Sequence, residues 1–481
     1  MRNWLLSLLL TASISAFAQT STQTSAADLP ATPLPSSVSL THATAGANHG
    51  SSQSQAAPPN QQQPLINPET ATISITRTDA ELLALKNNPR ITASHLLALA
   101  AGQVTRETRS GELPQISAAI TVEKAEDGSR IGAGALTDSR LYTHAGTGGS
   151  LSQLITDFGH SRNLVAASKL QQKAQDQSAL ATEQDILLAT DQAFYRLLNA
   201  QSLLDVAKAT VAARGDVQNL TSALTKSALK SDLDLNIASA DLSQSQLLEL
   251  DAENGVASAS AALASVLAAP PDTLYYAVED PEDAPPPPPD SSPSINASAQ
   301  AQRPDLQALR FNAAADQKFA TAQQLQHLPT ISALAMGGIT SVAPDGIFVP
   351  NWYAAGGMNL TLPLFTGFRI DAQAQEARLR LKAAEKQAQD LSDNIARDVR
   401  VAVLNAETAF RRIAVADQFR KQTAQALTLA QTRYKLGLSS IVELSQAQLQ
   451  STQAAVAAVN ARYDYLLSVR SLDYARGQLA P

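Results

Sequence analysis

Leu113-Pro114-Gln115-Ile116-Ser117 is met again as Leu328-Pro329-Thr330-Ile331-Ser332, 215 residues further along the chain. The same offset joins Asn88-Pro89-Arg90-Ile91 to Arg303-Pro304-Asp305-Leu306, each of which opens an Ala-rich stretch of helical character. Beyond the pentapeptides the offset falls to 209: Leu151-Ser-Gln-Leu-Ile-Thr-Asp-Phe-Gly aligns with Leu360-Thr-Leu-Pro-Leu-Phe-Thr-Gly-Phe, and Asp234-Leu235 with Glu443-Leu444. The segment from about 154 to 243 thus has a twin of equal length, while the part before it differs by six residues. Loops tolerate such length changes and packed elements do not. A repeat of this period is far longer than a solenoid unit, so it reads as duplication of a whole supersecondary module.

Each module has the same plan. Residues 90–110 and 303–326 are expected to be short helices, ended by Pro114 and Pro329, where the period changes from helical to alternating. Ile116, Ala118, Ile120 and Val122 then share one face, with Ser117, Thr121 and Glu123 opposite. The clearest strand is 352–364, in which Trp352, Ala354, Gly356, Met358, Leu360, Leu362 and Leu364 alternate with Tyr353, Ala355, Gly357, Asn359 and Thr361. Apolar-out, polar-in alternation over about ten residues is the pattern of a transmembrane barrel strand. The stretches near 142–150 and 331–340 alternate less cleanly. Very long helices follow, expected at 158–227 and 370–435, on the order of 100 Å each at 1.5 Å per residue. Ala388, Leu391, Ile395, Val399, Ala402, Ala406, Phe410 and Ile413 on the outgoing helix, and Leu449, Thr452, Val456, Val459, Tyr463 and Leu466 on the returning one, form coiled-coil seams with small or medium knobs. Gly437 can take the left-handed cap between them, and Ser439-Ser440 supply N-cap candidates for the return.

Composition agrees. Only 4% of the chain is aromatic and 16% charged, poor material for a compact core but suited to long, closely approaching helices. A net charge of −7 carries no basic footprint for nucleic acid. The absence of cysteine removes disulfides, thiolate metal sites and a cysteine nucleophile together. Residues 1–18 read as a secretory signal, with Arg2, an apolar run from Trp4 to Phe17 and an Ala16-Phe17-Ala18 cleavage site. Residues 19–72 are a Ser/Thr/Gln/Ala/Pro mixture expected to stay disordered. The first repeat is then 73–280, a Pro-rich linker 281–302, and the second repeat 303–478. Within the linker Pro285 to Pro289 form a semi-rigid spacer. No mature window is apolar for about 18 residues, so a membrane could be crossed only as a closed β-barrel. The six histidines are scattered, and no His-Glu-x-x-His motif, P-loop or nucleophile elbow is present. No enzymatic activity and no cofactor or metal is expected.

Arg303-Pro304-Asp305-Leu306, Leu328-Pro-Thr-Ile-Ser, Leu362-Pro-Leu-Phe-Thr-Gly, Ala447-Gln-Leu, Tyr463-Asp-Tyr and above all Tyr434-Lys-Leu-Gly-Leu-Ser-Ser-Ile-Val-Glu-Leu carry a resemblance. In order, spacing and duplication the chain from about 75 to 478 resembles the TolC-like outer-membrane factors. That resemblance implies a mainly α fold with a membrane β-barrel portion. It implies a homotrimer in which each chain gives four strands to a twelve-stranded barrel, continuous with a periplasmic helical tunnel. Such a channel lies in the outer-membrane lipid of a Gram-negative-type bacterium and meets a membrane-fusion adaptor and an inner-membrane pump. It is a passive conduit for efflux or type I secretion.

The resemblance also implies roles at the periplasmic entrance. Tyr434 falls at a gating tyrosine, Glu443 at an entrance aspartate, and Asp234 at an aspartate that takes part in closing contacts. Two positions depart from the pattern: a second entrance aspartate is Gln446, and an arginine that pairs across the closed tip is Ser439. Leu229, Gly437 and Leu438 are expected to touch the adaptor, and Ala228 stands where the first tip usually has glycine. A threefold axis would gather Glu443 into a ring of like charge that favours cations; the plainer reading of Glu443 and Asp234 is a helix-start carboxylate. Trp352 and Tyr353 are expected in an interfacial aromatic girdle. The alternative function is a periplasmic coiled-coil adaptor or structural protein, but an adaptor would show one hairpin, not two.

Overall fold

The structure, a computed structural model, describes residues 73–126, 130–131, 139–140, 143–270, 272–279, 294–343 and 349–479. The expected signal sequence, the Ser/Gln/Pro-rich segment and the polyproline run lie outside these residues.

The first repeat runs β1 (Ile73–Ile75), α1 (Arg77–Asn87), α2 (Pro89–Ser110), β2 (Gln115–Glu123), the short β3 (Arg130–Ile131) and β4 (Ser139–Arg140), β5 (Thr143–Thr156), α3 (His160–Lys226), α4 (Asp232–Val266) and β6 (Tyr275–Ala277). The second runs α5 (Ser294–Gln302), α6 (Pro304–Leu325), β7 (Thr330–Ala343), β8 (Val349–Thr361), α7 (Arg369–Lys435) and α8 (Ile441–Ala475). The duplication is exact in length where packing demands it. Both α2 and α6 have 22 residues, both α3 and α7 have 67, and both α4 and α8 have 35.

The backbone repeats its turns as well. Strand passes to long helix through two successive left-handed residues, Phe158-Gly159 in one repeat and Gly367-Phe368 in the other. Each glycine relieves one of the two positions, and a phenylalanine bears the other. The start of each short helix meets the end of the returning helix of its own hairpin: Asn88 Nδ2 donates to Val266 O at 2.9 Å, and Arg303 Nη1 reaches Tyr474 O at 3.5 Å. Pro89 and Pro304 occupy the first helical turn, where a missing N–H costs nothing.

Three differences from the sequence reading stand out. The last nine residues of the expected linker 281–302 are helix α5, whose Ala299 shares a small core with Leu306 of α6 and with Ile395 and Val399 of α7. The strand expected at 352–364 is Val349–Thr361, because Pro363 offers no N–H to extend the ladder. The stretch near 142–150 is a longer strand, ending at Thr156.

Strands β2, β5, β7 and β8 form one antiparallel sheet in that order, with the two repeats joined between β5 and β7. Among the described residues β2 and β8 have no outer partner, so the sheet has two open edges. Its register places Ile116, Ile120, Leu151, Ile339, Trp352 and Met358 on one face. The opposite face carries Ser117, Thr121, Ser150, Thr340, Asn359 and Tyr353, with Met336 and Leu334 the apolar exceptions on β7. Large apolar side chains of the first face are left bare, Ile116 at 81%, Ile120 at 82% and Trp352 at 81% exposure.

Candidate functional site

Both hairpin tips are built on one motif. In the first, Leu229 N–H donates to Leu224 O and Ala228 N–H to Thr225 O; in the second, Leu438 N–H donates to Arg433 O and Gly437 N–H to Tyr434 O. These are the paired bonds of a Schellman cap. Gly437 has φ 74° and its counterpart Ala228 has φ 56°, so the first tip accepts a left-handed alanine where the second uses glycine. The cap leaves Leu229 and Leu438 pointing outward at 70% and 66% exposure, two equivalent apolar knobs at the end of the molecule.

The returning helices start differently. Ser231 and Asp234 form a reciprocal capping box, so the Asp234 carboxylate is half-buried and engaged with the Ser231 N–H. Ser440 likewise accepts the Glu443 N–H at 3.2 Å, but the Glu443 side chain stays out of the cap and lies 3.6 Å from Arg433 Nε. The Asp234 carboxylate thus caps its helix, while Glu443 stays exposed at the second tip. Arg433 was not singled out from sequence; its position in the last turn of α7, one turn-crossing from Glu443, was the available signal. Gln446 is exposed and Ser439 half-buried.

Tyr434 is 1% exposed and sits between the two hairpins. It packs with Val217, Ala238, Ile441 and Leu444. Thr221 spends its hydroxyl proton on Val217 O, so Tyr434 donates to Thr221 Oγ1 at 3.0 Å, and Lys230 Nζ lies 4.5 Å from the ring centroid. One tyrosine therefore ties the second tip to the first.

Trp352 and Tyr353 do not share a face of the sheet. Successive residues of a strand point to opposite faces, so Trp352 joins the apolar face and Tyr353 the polar one.

Away from the tips lies a buried charged cluster that sequence reasoning missed. Arg470 of α8 reaches Asp191 of α3 at 2.6 Å and Glu81 of α1 at 2.9 Å, and Arg77 reaches Glu81 at 2.6 Å. Both carboxylates are fully buried. Burial and the adjoining Glu81 carboxyl push the Asp191 carboxyl up to about 8, against the pull of Arg470. The signal was present: Arg470 continues the 3–4 spacing of Tyr463 and Leu466, and a cation in a seam requires a buried acid. Three histidines pair with carboxylates across elements, His95 with Glu183, His144 with Glu123 and His327 with Asp371. Among the described residues no three potential ligands gather to hold a metal ion, and no helix is long and apolar enough to cross a membrane.

Comparison with known proteins agrees with this layout. The family model described as "Outer membrane efflux protein" matches residues 82–269 and 296–478, one match per repeat. Outer membrane protein TolC of Vibrio cholerae is 25% identical over 403 residues, covering 82% of this chain and 89% of the relative. Outer membrane efflux protein BepC of Brucella suis is 24% identical over 414 residues, covering 85% and 87%. Among solved structures, the outer membrane protein VceC of Vibrio cholerae superposes with a TM-score of 0.71 at 20% identity, over 83% of this chain and 96% of that one. The Campylobacter jejuni CmeC outer membrane channel gives 0.72 at 21% identity, over 84% and 85%. At those identities the structures speak for the fold.

Proposed function

The chain belongs to the outer membrane efflux protein family, and from that premise we propose that it is a passive, non-catalytic outer-membrane conduit that works as a homotrimer with an adaptor and an inner-membrane pump. The observation that carries the proposal is the four-stranded sheet. Its bare face is mostly apolar on β2, β7 and β8, with Leu151 beside Thr147 on β5, its other face is mostly polar, and both its edges lack partners among the described residues. Lipid accepts such a sheet only when the edges are closed, with the apolar face outward. Three copies supply twelve strands and close it. The hairpins then extend as a tunnel, and the groove between α7 and α8, where Val415 and Phe419 stand exposed, is covered by the neighbouring copy.

In this reading the tips are the periplasmic entrance. Leu229, Leu438 and the Gly437 turn are the adaptor contacts, held out by the Schellman caps. Glu443 lines the opening once per chain, with Arg433 of the same chain partly offsetting its charge. Tyr434 governs opening through the first hairpin, since separating the tips requires its ring to leave the contact with Thr221. A periplasmic adaptor or structural protein would have no use for the bare apolar sheet face.

Reconstitution into planar bilayers tests the proposal. Wild-type protein should form discrete, cation-preferring channels. Glu443→Gln should lower the cation preference, by a modest amount because Arg433 already screens the acid. Unaltered ion selectivity in that variant would remove Glu443 from the opening.

A further inference from the structure

Tyr353 lies on the polar face of β8, and its neighbours across the sheet are glycines. The register pairs Tyr353 with Gly338 of β7, and Gly338 with Gly148 of β5. The ring reaches across both strands. A Cβ built on Gly148 would collide with the Tyr353 hydroxyl, and one on Gly338 would come within 3.0 Å of that hydroxyl. The two glycines thus form a slot in which the ring lies flat along the sheet, in a shallow concavity of about 300 Å³ bordered by Ser117, Thr121, Ser150 and Thr340.

The two glycines differ in what else they meet. At Gly338 a side chain would strike backbone, the Thr147 carbonyl oxygen and, at 2.7 Å, the Gly148 Cα. That position is closed to any side chain, whatever Tyr353 does. At Gly148 the closest obstacle is the far end of the tyrosine itself, followed by the Gly337 carbonyl oxygen at 3.1 Å. A methyl group at Gly148 therefore displaces the hydroxyl end of the ring, while the Gly337 carbonyl need give only slightly and the strands stay paired. Glycine within a strand otherwise weakens it, so its use at cross-strand neighbours beneath an aromatic ring needs a packing reason.

We propose that Gly148 is a positioning residue that keeps Tyr353 parked flat against the barrel wall, so that the conduit stays wide at this level. The inference rests on the channel reading given above, which turns the polar face inward. Displaced from its slot, the ring rotates away from the sheet and toward the lumen, once per protomer. Tyr353 would then set the bore at this level, and the slot decides whether it does.

The test is single-channel conductance of Gly148→Ala and of Gly148→Ala combined with Tyr353→Ala. The expected result is a loss of conductance in the single variant and its return in the double variant. Tyr353→Ala alone should conduct at least as well as wild type. A Gly148→Ala channel with wild-type conductance overturns the proposal, as does a loss that removing the tyrosine fails to relieve. Should Gly148→Ala fail to insert, insertion must return in the double variant, and continued failure there also overturns it. If wild-type protein itself forms no channel, the channel reading fails instead. Labelling gives an independent readout, because the chain has no cysteine of its own. A Tyr353→Cys channel should react with a water-soluble, membrane-impermeant thiol reagent and a Trp352→Cys channel should not; the reverse pattern overturns the inward placement.

Discussion

Arg470→Ala should cost the folded chain about 3 kcal/mol of stability, read as a lower thermal unfolding temperature by circular dichroism in detergent. The guanidinium holds Asp191 of α3 at 2.6 Å and Glu81 of α1 at 2.9 Å, and both carboxylates are fully buried. Removing it leaves Glu81 to Arg77 alone and takes from the buried Asp191 carboxyl its hydrogen-bond donor, in a place where water cannot compensate. The loss is large because the cluster joins three elements distant in sequence, and α1 is fastened to the long helices through it. Asp191→Asn is the informative partner. The Asp191 carboxyl is raised to about 8 by burial and by Glu81, whereas an unfolded aspartate titrates near about 3.9. The folded chain therefore keeps this proton to higher pH, so the stability it confers is complete below about 4 and is lost as pH climbs through about 8. Asn mimics the protonated acid, so Asp191→Asn should be mild at neutral pH and should flatten the decline between about pH 4 and about pH 8. An Asp191→Asn variant as unstable as Arg470→Ala would show that the ionised acid is what the fold uses.

Tyr434→Ala should have the largest effect on the tips. A fully buried aromatic side chain cut back to alanine typically costs about 3–5 kcal/mol, and here the loss falls on the contact between the two hairpins. The ring packs on Val217, Ile441 and Leu444, and its hydroxyl donates to Thr221. Freed of that tie, the tips should separate more readily, giving larger or longer openings in single-channel records and greater entry of bulky solutes. Tyr434→Phe keeps the packing and loses one hydrogen bond, worth about 1 kcal/mol, so it should open far less. Equal gating in the two variants would place the control in the hydroxyl instead of the ring.

Much of this architecture was legible in the chain because duplication supplies an internal control. The helix expected at 158–227 is His160–Lys226 and that at 370–435 is Arg369–Lys435, since a 209-residue offset ties both ends of one hairpin to the other. The apolar alternation from Trp352 to Leu360 marked β8 and its exposed face. Less legible was β5, where Gly146, Gly148 and Gly149 erase alternation because they serve neighbouring strands and not their own periodicity. The burial of Tyr434 between the two tips was not legible, because its contact with Thr221 joins residues 213 positions apart. Asp234 and Glu443 align in sequence, yet only one closes a capping box; Arg433, four residues before Gly437, draws the other away. Helix α5 was hidden by the prolines before it, whose composition extended the apparent linker too far.

The most direct measurement is the size of the protein extracted from outer-membrane fractions in mild detergent, by light scattering coupled to gel filtration. With the chain less its signal sequence as the unit, somewhat below the 50.6 kDa of the full sequence, the open-edged sheet and the uncovered α7–α8 groove predict a particle of three chains. A monomer recovered from the soluble fraction would contradict the closed barrel, and with it the conduit.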